Sequence, residues 1–406
     1  MKKRRPKAKK IKRISKVKTK SPKPRQKAAE NFLPRIKVVG VGGSGGNAVT
    51  RMSNDSIKGV ELIAINTDIQ DLNYCSARKK ICIGRNLTKG MGTGMDPELG
   101  RRAAEESQSE IAQALEGADM IFLTAGFGGG TGTGALPVIA EIAREMNILT
   151  LAVVTKPFVF EGYERMRIAE EGMSRIKDKV DTLITIPNDR IFSIINKNTS
   201  LLKAFEEIDE ILKNAVLGIA ELISTPGIIN IDFADVKSIV QNAGLAIIAN
   251  GVASGNDRAL NAANQATNSP LLDISISGAK RVLFSISGHR DLKMSEINDI
   301  AKMISEQVNP SARIIFGAHH DRKLKKGELK ITLVATGFGN DLKRDSTSLP
   351  NLFISELGRF SEESKEPASS KSAKHGEKDK KEDKETKVED IWDIPAFLRK
   401  KGNKRH

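Results

Sequence analysis

The sequence predicts an α/β protein with a doubly wound, mostly parallel sheet, a long central helix and a smaller C-terminal α/β unit. Short apolar runs alternate with amphipathic stretches over residues 36–187, which is typical of parallel strands covered by helices on both faces. A helical period then continues without proline over residues 201–223, and a second series of strand and helix patterns occupies residues 228–339. The polar segments at both ends cannot bury a core, so we expect disordered tails there.

The first block contains strand candidates separated by helical stretches. The strand candidates are IKVVGV (36–41), VELIAIN (60–66), KKICIG (79–84), MIFLTA (120–125), ILTLAVVT (148–155) and TLITIP (182–187). The segments 97–118 and 132–146 have amphipathic patterns, and we expect the second helix to begin at about Gly134.

The central helix is predicted from apolar residues at steps of three and four, which share one helix face. These residues are Leu202, Phe205, Ile208, Ile211, Leu212, Val216, Ile219 and Leu222, and Pro226 ends the helix. In the block that follows, the strand candidates are GLAIIANGVA, KRVLFSISG, ARIIFGAH and ELKITLVATGF, and the helix candidates are DRALNAANQAT and MSEINDIAKMISEQV.

The net charge of +16 is concentrated at the N-terminus. Residues 1–35 hold sixteen lysines and arginines and one acid, whereas the rest of the chain is nearly neutral. We interpret residues 1–34 as a disordered basic arm. A solvated tail is the simplest role for it; binding to nucleic acid or to an anionic membrane surface is an alternative, and a transit peptide is a third.

The C-terminal tail combines a polar segment with one apolar patch. Residues 340–387 are rich in Lys, Glu, Ser and Asp, which predicts a flexible tether. Residues 388–406 hold the only tryptophan, Trp392, close to Ile394 and Phe397. An apolar patch at the end of a tether is typical of a peptide that docks on a partner.

The cysteines and histidines give no sign of a metal centre. Cys75 and Cys82 predict two reduced thiols in a cytoplasmic protein. We interpret the adjacent His319 and His320 as loop residues rather than zinc ligands. We also expect no membrane span and no secretory signal, because no apolar run is long enough and the N-terminus lacks an apolar region.

The segment VVGVGGSGGNAVT, residues 38–50, contains the pattern G-x-G-x-x-G at Gly40, Gly42 and Gly45. It follows one strand candidate, and Asp68 ends the next, as in dinucleotide-binding proteins. Glycines and a helix N-terminus hold phosphate groups equally well in NAD and in a nucleoside triphosphate. This segment alone leaves the two ligands open.

Two further glycine-rich segments favour the triphosphate. GGGTGTG, residues 128–134, lies between a strand and a helix candidate, and GMGTGMD, residues 90–96, follows the third strand candidate. A dinucleotide fold has one pyrophosphate loop, whereas several such loops at one sheet edge form a wide nest for a polyphosphate. A flexible linker would not lie between two apolar elements, and the absence of G-K-[ST] excludes a P-loop NTPase.

Acidic residues follow the central helix in the segment TPGIINIDFADV, residues 225–236. Asp235 alone could be a helix N-cap and Asp232 a loop acid. Together with Asn230 they could instead polarise a water that attacks a γ-phosphate. The central helix is about 30 Å long, which separates these acids from the glycine-rich edge. Head-to-tail stacking of subunits would bring the two ends together and build a filament.

Over about residues 35–339 the chain resembles the tubulin/FtsZ family, and within it the bacterial FtsZ members. The resemblance is carried, in family order, by VGVGGSGGNAV, NTD, GGGTGTG, VTKPFVFEGYERM, LITIPND and NIDFADV, and by the terminal DIPAFLRK. It implies a tubulin-like fold and a GTP-dependent polymer that forms the division ring, with Mg²⁺ and K⁺ as cofactors and no confident metal ligand from the protein itself.

The resemblance also implies roles for individual residues. Binding of GTP is assigned to Gly43, Ser44, Gly45, Gly46, Asn47, Gly130, Thr131, Gly132, Glu161, Arg165, Asn188, Phe205 and Asp209. Asp209 would accept hydrogen bonds from the guanine N1 and N2 positions, and Phe205 would stack near the base. Asp232 and Asp235, oriented by Asn230, would act on the nucleotide of a neighbouring subunit. A membrane-tethering division protein would bind Asp393, Ile394, Pro395, Phe397 and Leu398.

The predicted organisation follows from this resemblance. It comprises the arm (1–34), a GTP-binding domain (35–200), the central helix (201–224), a GTPase-activating and polymerisation domain (225–339), the tether (340–387) and the partner-binding peptide (388–406).

Two positions depart from the family pattern. Ser44 stands at a position that is commonly glycine, which is tolerated if its φ is negative, and Asn256 stands where many relatives have an acid, so hydrolysis could be slower. A scaffold that does not hydrolyse GTP and an NAD-dependent oxidoreductase are the competing functions. The first is disfavoured by the complete acid pair, and the second leaves GGGTGTG unexplained. The DIPAFLRK ending and the length disfavour a eukaryotic-type tubulin.

Overall fold

The computed structural model describes residues 34–338, except 55–58, 197, 225–226, 271–274 and 322. Its strands are β1 Ile36–Val41, β2 Val60–Asn66, β3 Lys79–Cys82, β4 Met120–Gly126, β5 Leu149–Lys156, β6 Thr182–Pro187, β7 Gly244–Ser254, β8 Arg281–Gly288, β9 Arg313–His320 and β10 Glu328–Thr336. Its α-helices are α1 Gly42–Ser53, α2 Ile69–Tyr74, α3 Arg85–Thr88, α4 Pro97–Glu106, α5 Gln108–Leu115, α6 Thr131–Glu145, α7 Tyr163–Ile176, α8 Leu201–Ser224, α9 Phe233–Val240, α10 Arg258–Thr267 and α11 Met294–Gln307. Residues 1–33, the tether and the terminal peptide lie outside the described residues.

The strands form one sheet in the order β3-β2-β1-β4-β5-β6-β7-β10-β8-β9. The pairs from β3 to β7 are all parallel. The chain moves from β1 towards one edge and then returns to place β4 on the other side of β1. Helices α1 and α6, which follow β1 and β4, therefore lie beside the point where the strand order reverses. Ligands bind at such a switch point in doubly wound folds.

The second half of the sheet is mixed. β10 is antiparallel to both β7 and β8, and β9 is parallel to β8. Only three residue pairs join β6 to β7, starting at Thr182 and Gly244. The predicted doubly wound sheet, the central helix and the second α/β unit are confirmed, whereas the domain boundaries stay predictions.

Helices cover both faces of the sheet. One face of the parallel strands packs against α1 and α8, with Phe122 of β4 and Val216 of α8 fully buried in the same cluster. The opposite face packs against α4, α5 and α6, where Leu123 and Ile139 are also fully buried. Continuous burial along β1 and β4 explains why these strands are apolar at most positions rather than at alternate ones, with Lys37 and Thr124 as buried exceptions.

Three local expectations are wrong in detail. The amphipathic stretch 97–118 is divided at Ser107, whose backbone leaves the helical region and whose hydroxyl accepts a bond from Gly84 N at 3.1 Å. Helix α6 begins at Thr131 rather than at Gly134. His319 and His320 are the last residues of strand β9 and are not in a loop. A fourth expectation holds only in part. On the predicted face of α8, Ile208 and the residues from Leu212 onwards are buried, whereas Ile211 is half-buried and Leu202 is exposed.

Candidate nucleotide-binding site

A cleft of about 480 Å³ lies at the carboxyl ends of the parallel strands. Segments from all three glycine-rich loops line it, including Gly43, Gly92 and Gly130. The cleft also receives side chains from α8 on its far side, among them Phe205 and Asp209. Its place beside the switch point and its convergent polar groups make it the candidate ligand site.

Helix α1 presents an open N-terminus to this cleft. It begins at Gly42, whose φ of +73° is reached readily only by glycine. The preceding residue, Val41, offers no side-chain cap, and the first turn contains no acid. The first backbone N–H groups of α1 are therefore left for a ligand, and the positive end of the helix dipole favours an anion.

Helix α6 presents a second open N-terminus. Its N-cap is Gly130, again with no side-chain cap and with no acid in the first turn. The Thr131 hydroxyl is held by the Thr67 and Thr93 hydroxyls, with oxygen–oxygen distances of 2.7 and 3.2 Å. A Cβ at Gly42 would lie 3.0 Å from Gly132 N, so the two helix starts approach each other closely.

Other helices of the chain are capped by aspartate. Asp68, Asp96 and Asp232 cap α2, α4 and α9 and accept bonds from backbone N–H groups of the first turn. Capping by Asp is the common solution for a helix start. Helices α3, α5, α7 and α10 also lack a side-chain cap bond, so what distinguishes α1 and α6 is that their two open starts face the same cleft, where one polyphosphate would satisfy both of them.

Acidic and amide oxygens lie on the β2 side of the cleft. Asn66, Asp68 and Asp71 line it, and Asn66 Nδ2 donates to Asp71 Oδ2 at 3.3 Å. The described residues contain no group of three or more potential protein ligands for a metal. Mg²⁺ usually takes one or two carboxylates together with phosphate oxygens and water. Asp68 and Asp71 fit that donor set beside a bound polyphosphate.

The other end of the cleft is suited to the base of a nucleotide. Asn188 is 7% exposed, and its Oδ1 atom has no hydrogen-bond partner in the structure. A buried polar atom without a partner is costly, and Asn188 lines the cleft, so a ligand N–H group would satisfy it. Phe205 packs edge-on against Phe158 with a centroid distance of 5.5 Å and keeps 39% of its surface exposed.

Asp209 is the acid at this end. It is 9% exposed, and Arg51 Nε of α1 donates to its Oδ2 at 3.1 Å. Burial raises the pKa of Asp209 above its ordinary value, against the opposing effect of the Arg51 guanidinium. A carboxylate fixed in this way can accept two neighbouring N–H groups, which guanine offers and adenine does not.

Glu161 and Arg165 form the rim. Glu161 accepts from Phe158 N at 2.9 Å and from Arg165 Nη1 at 2.7 Å. The carboxylate of Glu161 thereby orients the guanidinium of Arg165, which is a strong donor for phosphate and sugar oxygens.

Of the residues predicted to bind GTP, only Gly45 and Gly46 are not part of the cleft lining. Gly45 faces the sheet, where a Cβ would lie 2.5 Å from the Thr124 carbonyl oxygen. Gly46 lines a neighbouring cavity of about 90 Å³ that also contains Cys75. Gly45 therefore acts through the close packing of α1 on the sheet, whereas a Cβ at Gly46 would meet nothing within 4 Å.

The acids predicted to act on a neighbour lie elsewhere. Asn230 and Asp232 are exposed, and Asp232 caps α9 by accepting from Asp235 N at 2.7 Å. The N-cap is thus Asp232, whereas the alternative considered from the sequence gave that role to Asp235. All three residues follow the C-terminal end of α8, and none lines the cleft.

Several cleft residues were not selected from the sequence. Asp71, Thr93, Thr155, Pro157 and Ile208 belong to this group, as do Asn66 and Asp68 as site residues. The sequence could have identified Asp71 as a site residue, because Asp71 lies three residues after Asp68 at the start of a helix. Thr93 lies in the glycine-rich segment 90–96 that was already assigned to this edge. Thr155 gave no signal, since only the order of the strands brings it to the cleft.

The family comparisons agree with this geometry. The profile of the tubulin/FtsZ family GTPase domain matches residues 35–196, and the profile of the FtsZ family C-terminal domain matches residues 244–339. An empty FtsZ dimer from M. jannaschii is 47% identical, with a TM-score of 0.72, and the match covers 75% of this chain and 88% of that chain. The chain belongs to the tubulin/FtsZ family. It is an FtsZ-like GTPase.

Other solved structures of the tubulin/FtsZ fold are also similar. A mutant of the M. jannaschii FtsZ is 46% identical, with a TM-score of 0.72, and the match covers 75% of this chain and 91% of that chain. CetZ2 from Haloferax volcanii, a GTPγS-bound protofilament, is 23% identical with a TM-score of 0.64; 74% of this chain and 92% of that chain are covered. At that identity the match supports the fold alone.

Three further features of this FtsZ-family chain bear on the earlier expectations. Ser44 is not among the residues with positive φ, so the condition for tolerating serine there is met. Cys75 and Cys82 are free and buried. In the part of the chain that the structure describes, no helix is long and apolar enough to cross a bilayer.

Proposed function

We propose that the chain binds GTP in the cleft, assembles head to tail into filaments, and hydrolyses GTP with acids supplied by the neighbouring subunit. The observation that carries this proposal is the length of α8. Asp209 lies near its start, and fifteen residues later Ser224 ends it, a rise of about 22 Å. Asp232 and Asp235 follow that far end, so a stacked neighbour is needed to bring them to a nucleotide.

In this arrangement the phosphates lie on the open starts of α1 and α6. The Thr131 hydroxyl and the N–H groups of Gly43 and Gly130 would hold the charged oxygens. At the other end, Asp209 and Asn188 would bind guanine, and Phe205 would pack on it. Mg²⁺, held by Asp68 and Asp71, would neutralise phosphate charge, and we expect K⁺ as a second cation.

Hydrolysis requires a water placed in line with the γ-phosphate. Asp232 and Asp235 of the next subunit would orient and polarise that water, and Asn230 would orient the acids. Most of the rate enhancement in phosphoryl transfer comes from positioning and charge stabilisation. The site is therefore complete only where two subunits meet, which is a heterologous contact that builds a filament.

For the cell, we propose a role in division. The filaments would form the cytokinetic ring at a bacterial division site and take part in septation. The terminal peptide, including Ile394, Phe397 and Leu398, would bind a membrane-tethering division protein. The basic arm at 1–34 would contact nucleic acid or an anionic membrane surface, or remain a solvated tail. The division role rests on the family resemblance, whereas the in-trans site rests on geometry.

The first test is GTP hydrolysis by purified protein over a range of protein concentrations, with Mg²⁺ and K⁺. A rate that appears only above a threshold concentration supports a site shared between subunits. A rate strictly proportional to concentration from zero would assign all catalytic groups to one subunit and exclude the roles of Asp232 and Asp235.

A mixing experiment sharpens the test. Asp235→Ala should bind GTP normally but lose most hydrolysis, and Asp209→Ala should lose binding. Mixed one to one, the two inactive proteins should recover about a quarter of the wild-type rate, because one junction in four pairs an intact cleft with an intact acid. Asp299→Ala on α11 is the matched control and should be fully active. Mixtures without any recovery would contradict the in-trans site.

A further inference from the structure

The acid-bearing loop lies directly on strand β9. Ile229 and Ala318 form an antiparallel bridge. Ile229 N donates to Ala318 O at 3.0 Å, and Ala318 N donates to Ile229 O at the same distance. Ile228 N also donates to Ala318 O at 2.7 Å. The backbone before Asp232 is therefore fixed to one residue of the outermost strand.

Two glycines make this close approach possible. A Cβ at Gly227 would lie 2.5 Å from Ala318 O, and a Cβ at Gly317 would lie 2.7 Å from Ile231 Cδ1 and 2.8 Å from its Cγ1. Neither glycine has a positive φ. Other residues could adopt their backbone conformation, so glycine is needed at these positions for space alone.

The position of Ile231 on β9 determines where the two acids that follow it lie. Its side chain is 7% exposed and belongs to the core cluster that contains Val236 of α9. The next residue is Asp232, whose carboxylate accepts from Asp235 N at 2.7 Å. A shift of Ile231 would consequently move Asp232, and through the cap it would move Asp235.

Strand β9 itself is held firmly at this point. The buried His319 ring contacts two hydroxyls of β8, with Nδ1 3.1 Å from Ser285 Oγ and Nε2 2.9 Å from Ser287 Oγ. The neighbouring Ala318 is 1% exposed. A bulkier residue at 317 would therefore displace the loop rather than the strand.

From this geometry we propose that Gly317 is a positioning residue for GTP hydrolysis. It leaves room for Ile231 to lie flat on β9 and so fixes where Asp232 and Asp235 enter the neighbouring subunit's nucleotide site. The proposal rests on the proposed in-trans function. It assigns a role in the reaction to a strand that contacts no nucleotide.

The test is Gly317→Ala, examined by three measurements. GTP binding below the assembly threshold, and the amount of polymer sedimented with a slowly hydrolysed GTP analogue, should stay within about twofold of wild type. Hydrolysis per polymerised subunit should fall about tenfold or more, since misplacing a catalytic group by 1 Å can cost about a hundredfold. The matched control is Gly288→Ala on β8, where a Cβ would meet Leu292 at an ordinary 3.5 Å. It should hydrolyse GTP at the wild-type rate.

A second background separates positioning from general damage. In Ile231→Ala the two nearest atoms are absent and only the Ile229 carbonyl oxygen, 3.2 Å from the added Cβ, remains close. Adding Gly317→Ala should then lower hydrolysis by less than about twofold, a clear non-additivity. An equal fall in both backgrounds, or full hydrolysis by Gly317→Ala, would overturn the proposal. If Gly317→Ala fails to bind GTP, hydrolysis by Ile231→Val becomes the deciding measurement, because this substitution removes only the Cδ1 atom. Slower hydrolysis at unchanged binding supports the proposal, and an unchanged rate overturns it.

Asp235→Ala is measured in the same series. If it hydrolyses GTP normally, the in-trans function itself fails, and the positioning role fails with it. If Asp235→Ala loses hydrolysis while Gly317→Ala keeps it, only the positioning role is wrong.

Discussion

The two halves of the sheet differ in how their polar groups are bonded. Around β1 and β4, helices α1 and α6 begin without a cap or an acid, and a buried amide oxygen of Asn188 is left without a partner. Around β8 and β10, the buried Arg258 is paired at once with Asp291 and Glu296, at 2.8 and 2.7 Å. In the first region polar groups are left free to bind a ligand, whereas in the second region charged groups pair with one another.

This contrast teaches where to look for function. Natural helices are usually capped, and buried polar atoms are usually bonded. Departures from the first rule also occur at α3, α5, α7 and α10, and the buried Thr124 Oγ1 and Asp291 Oδ1 atoms also lack a partner. At the cleft, two open helix starts and an unpartnered amide oxygen converge on one cavity, and this convergence supports the ligand site independently of any motif.

The largest effect is expected from closing an open helix start. Ser44→Asp places an acid in the first turn of α1, facing the phosphates. It should weaken GTP binding by at least about 100-fold, because two like charges 4 Å apart repel by about 4 kcal/mol at an effective dielectric of 20. The nucleotide-free protein should become more stable, by about 0.5 kcal/mol, since the acid complements the helix dipole. Binding is measured by equilibrium dialysis and stability by urea unfolding.

Ser44→Asn is the control, because it has nearly the same shape without the charge. It should bind GTP within about tenfold of wild type. Tight GTP binding by Ser44→Asp would show that the α1 start does not face phosphate.

A smaller effect, on stability alone, is expected in the second region. Arg258 is 4% exposed, and its guanidinium lowers the pKa of Glu296. Arg258→Met would leave Asp291 and Glu296, whose side chains are 32% and 13% exposed, without their buried counter-charge, so the free energy of unfolding should fall by about 2 kcal/mol, less than for a fully buried pair. GTP binding below the assembly threshold should not change. Urea unfolding and dialysis measure the two quantities.

Arg167→Met on α7 removes an arginine that also bonds two acids, Glu164 and Glu171, but on the surface. Its stability should remain close to wild type, because exposed ion pairs contribute little. Equal losses for the two variants would mean that burial of Arg258 does not matter.

The smallest effect concerns pH. Burial lowers the pKa of His319, against the weaker influence of Asp321. As pH falls below about 6.5, the unfolded chain takes up this proton before the folded chain does, so folding stability decreases. The slope for one proton is at most about 1.4 kcal/mol per pH unit. The free energy of unfolding of His319→Gln, measured with urea at pH 7 and pH 5, should therefore fall less between these two pH values than that of the wild type.

His320→Gln, one residue further along β9, is the matched control. That ring is partly exposed, and the variant tests whether a histidine-to-glutamine change on β9 alters the slope by itself. An identical pH dependence in His319→Gln and wild type would mean that His319 takes up no extra proton on unfolding.

Much of the fold was accessible from the sequence for physical reasons. Strands buried on both faces are apolar at most positions, and an uninterrupted period of three and four identifies α8. The three glycine-rich loops could be assigned to one edge, because the carboxyl ends of parallel strands meet there. Asp209 and Phe205 came from the family resemblance, since nothing local distinguishes them from other residues of an amphipathic helix.

Other features depend on tertiary structure. The start of α6 was missed because glycines at 132 and 134 have low helix propensity, although packing against α4 makes them helical. The break at Ser107 depends on a bond to Gly84, far away in sequence. His319 was assigned to a loop, yet its ring is buried against Ser285 and Ser287. The contact between Ile231 and Gly317 joins residues that no local pattern connects.

The separation of the cleft from Asp232 and Asp235 by the length of α8 has a consequence for direction and time. In a head-to-tail stack, one terminal subunit offers a cleft that no acid reaches, while the opposite terminus offers acids with no nucleotide to act on. If the acids act in trans as proposed, GTP newly bound at the first terminus would stay intact until another subunit arrives. The state of the nucleotide in each subunit would then depend on the time since its neighbour joined. The length of one helix would thus give the filament both a polarity and a measure of the age of each junction.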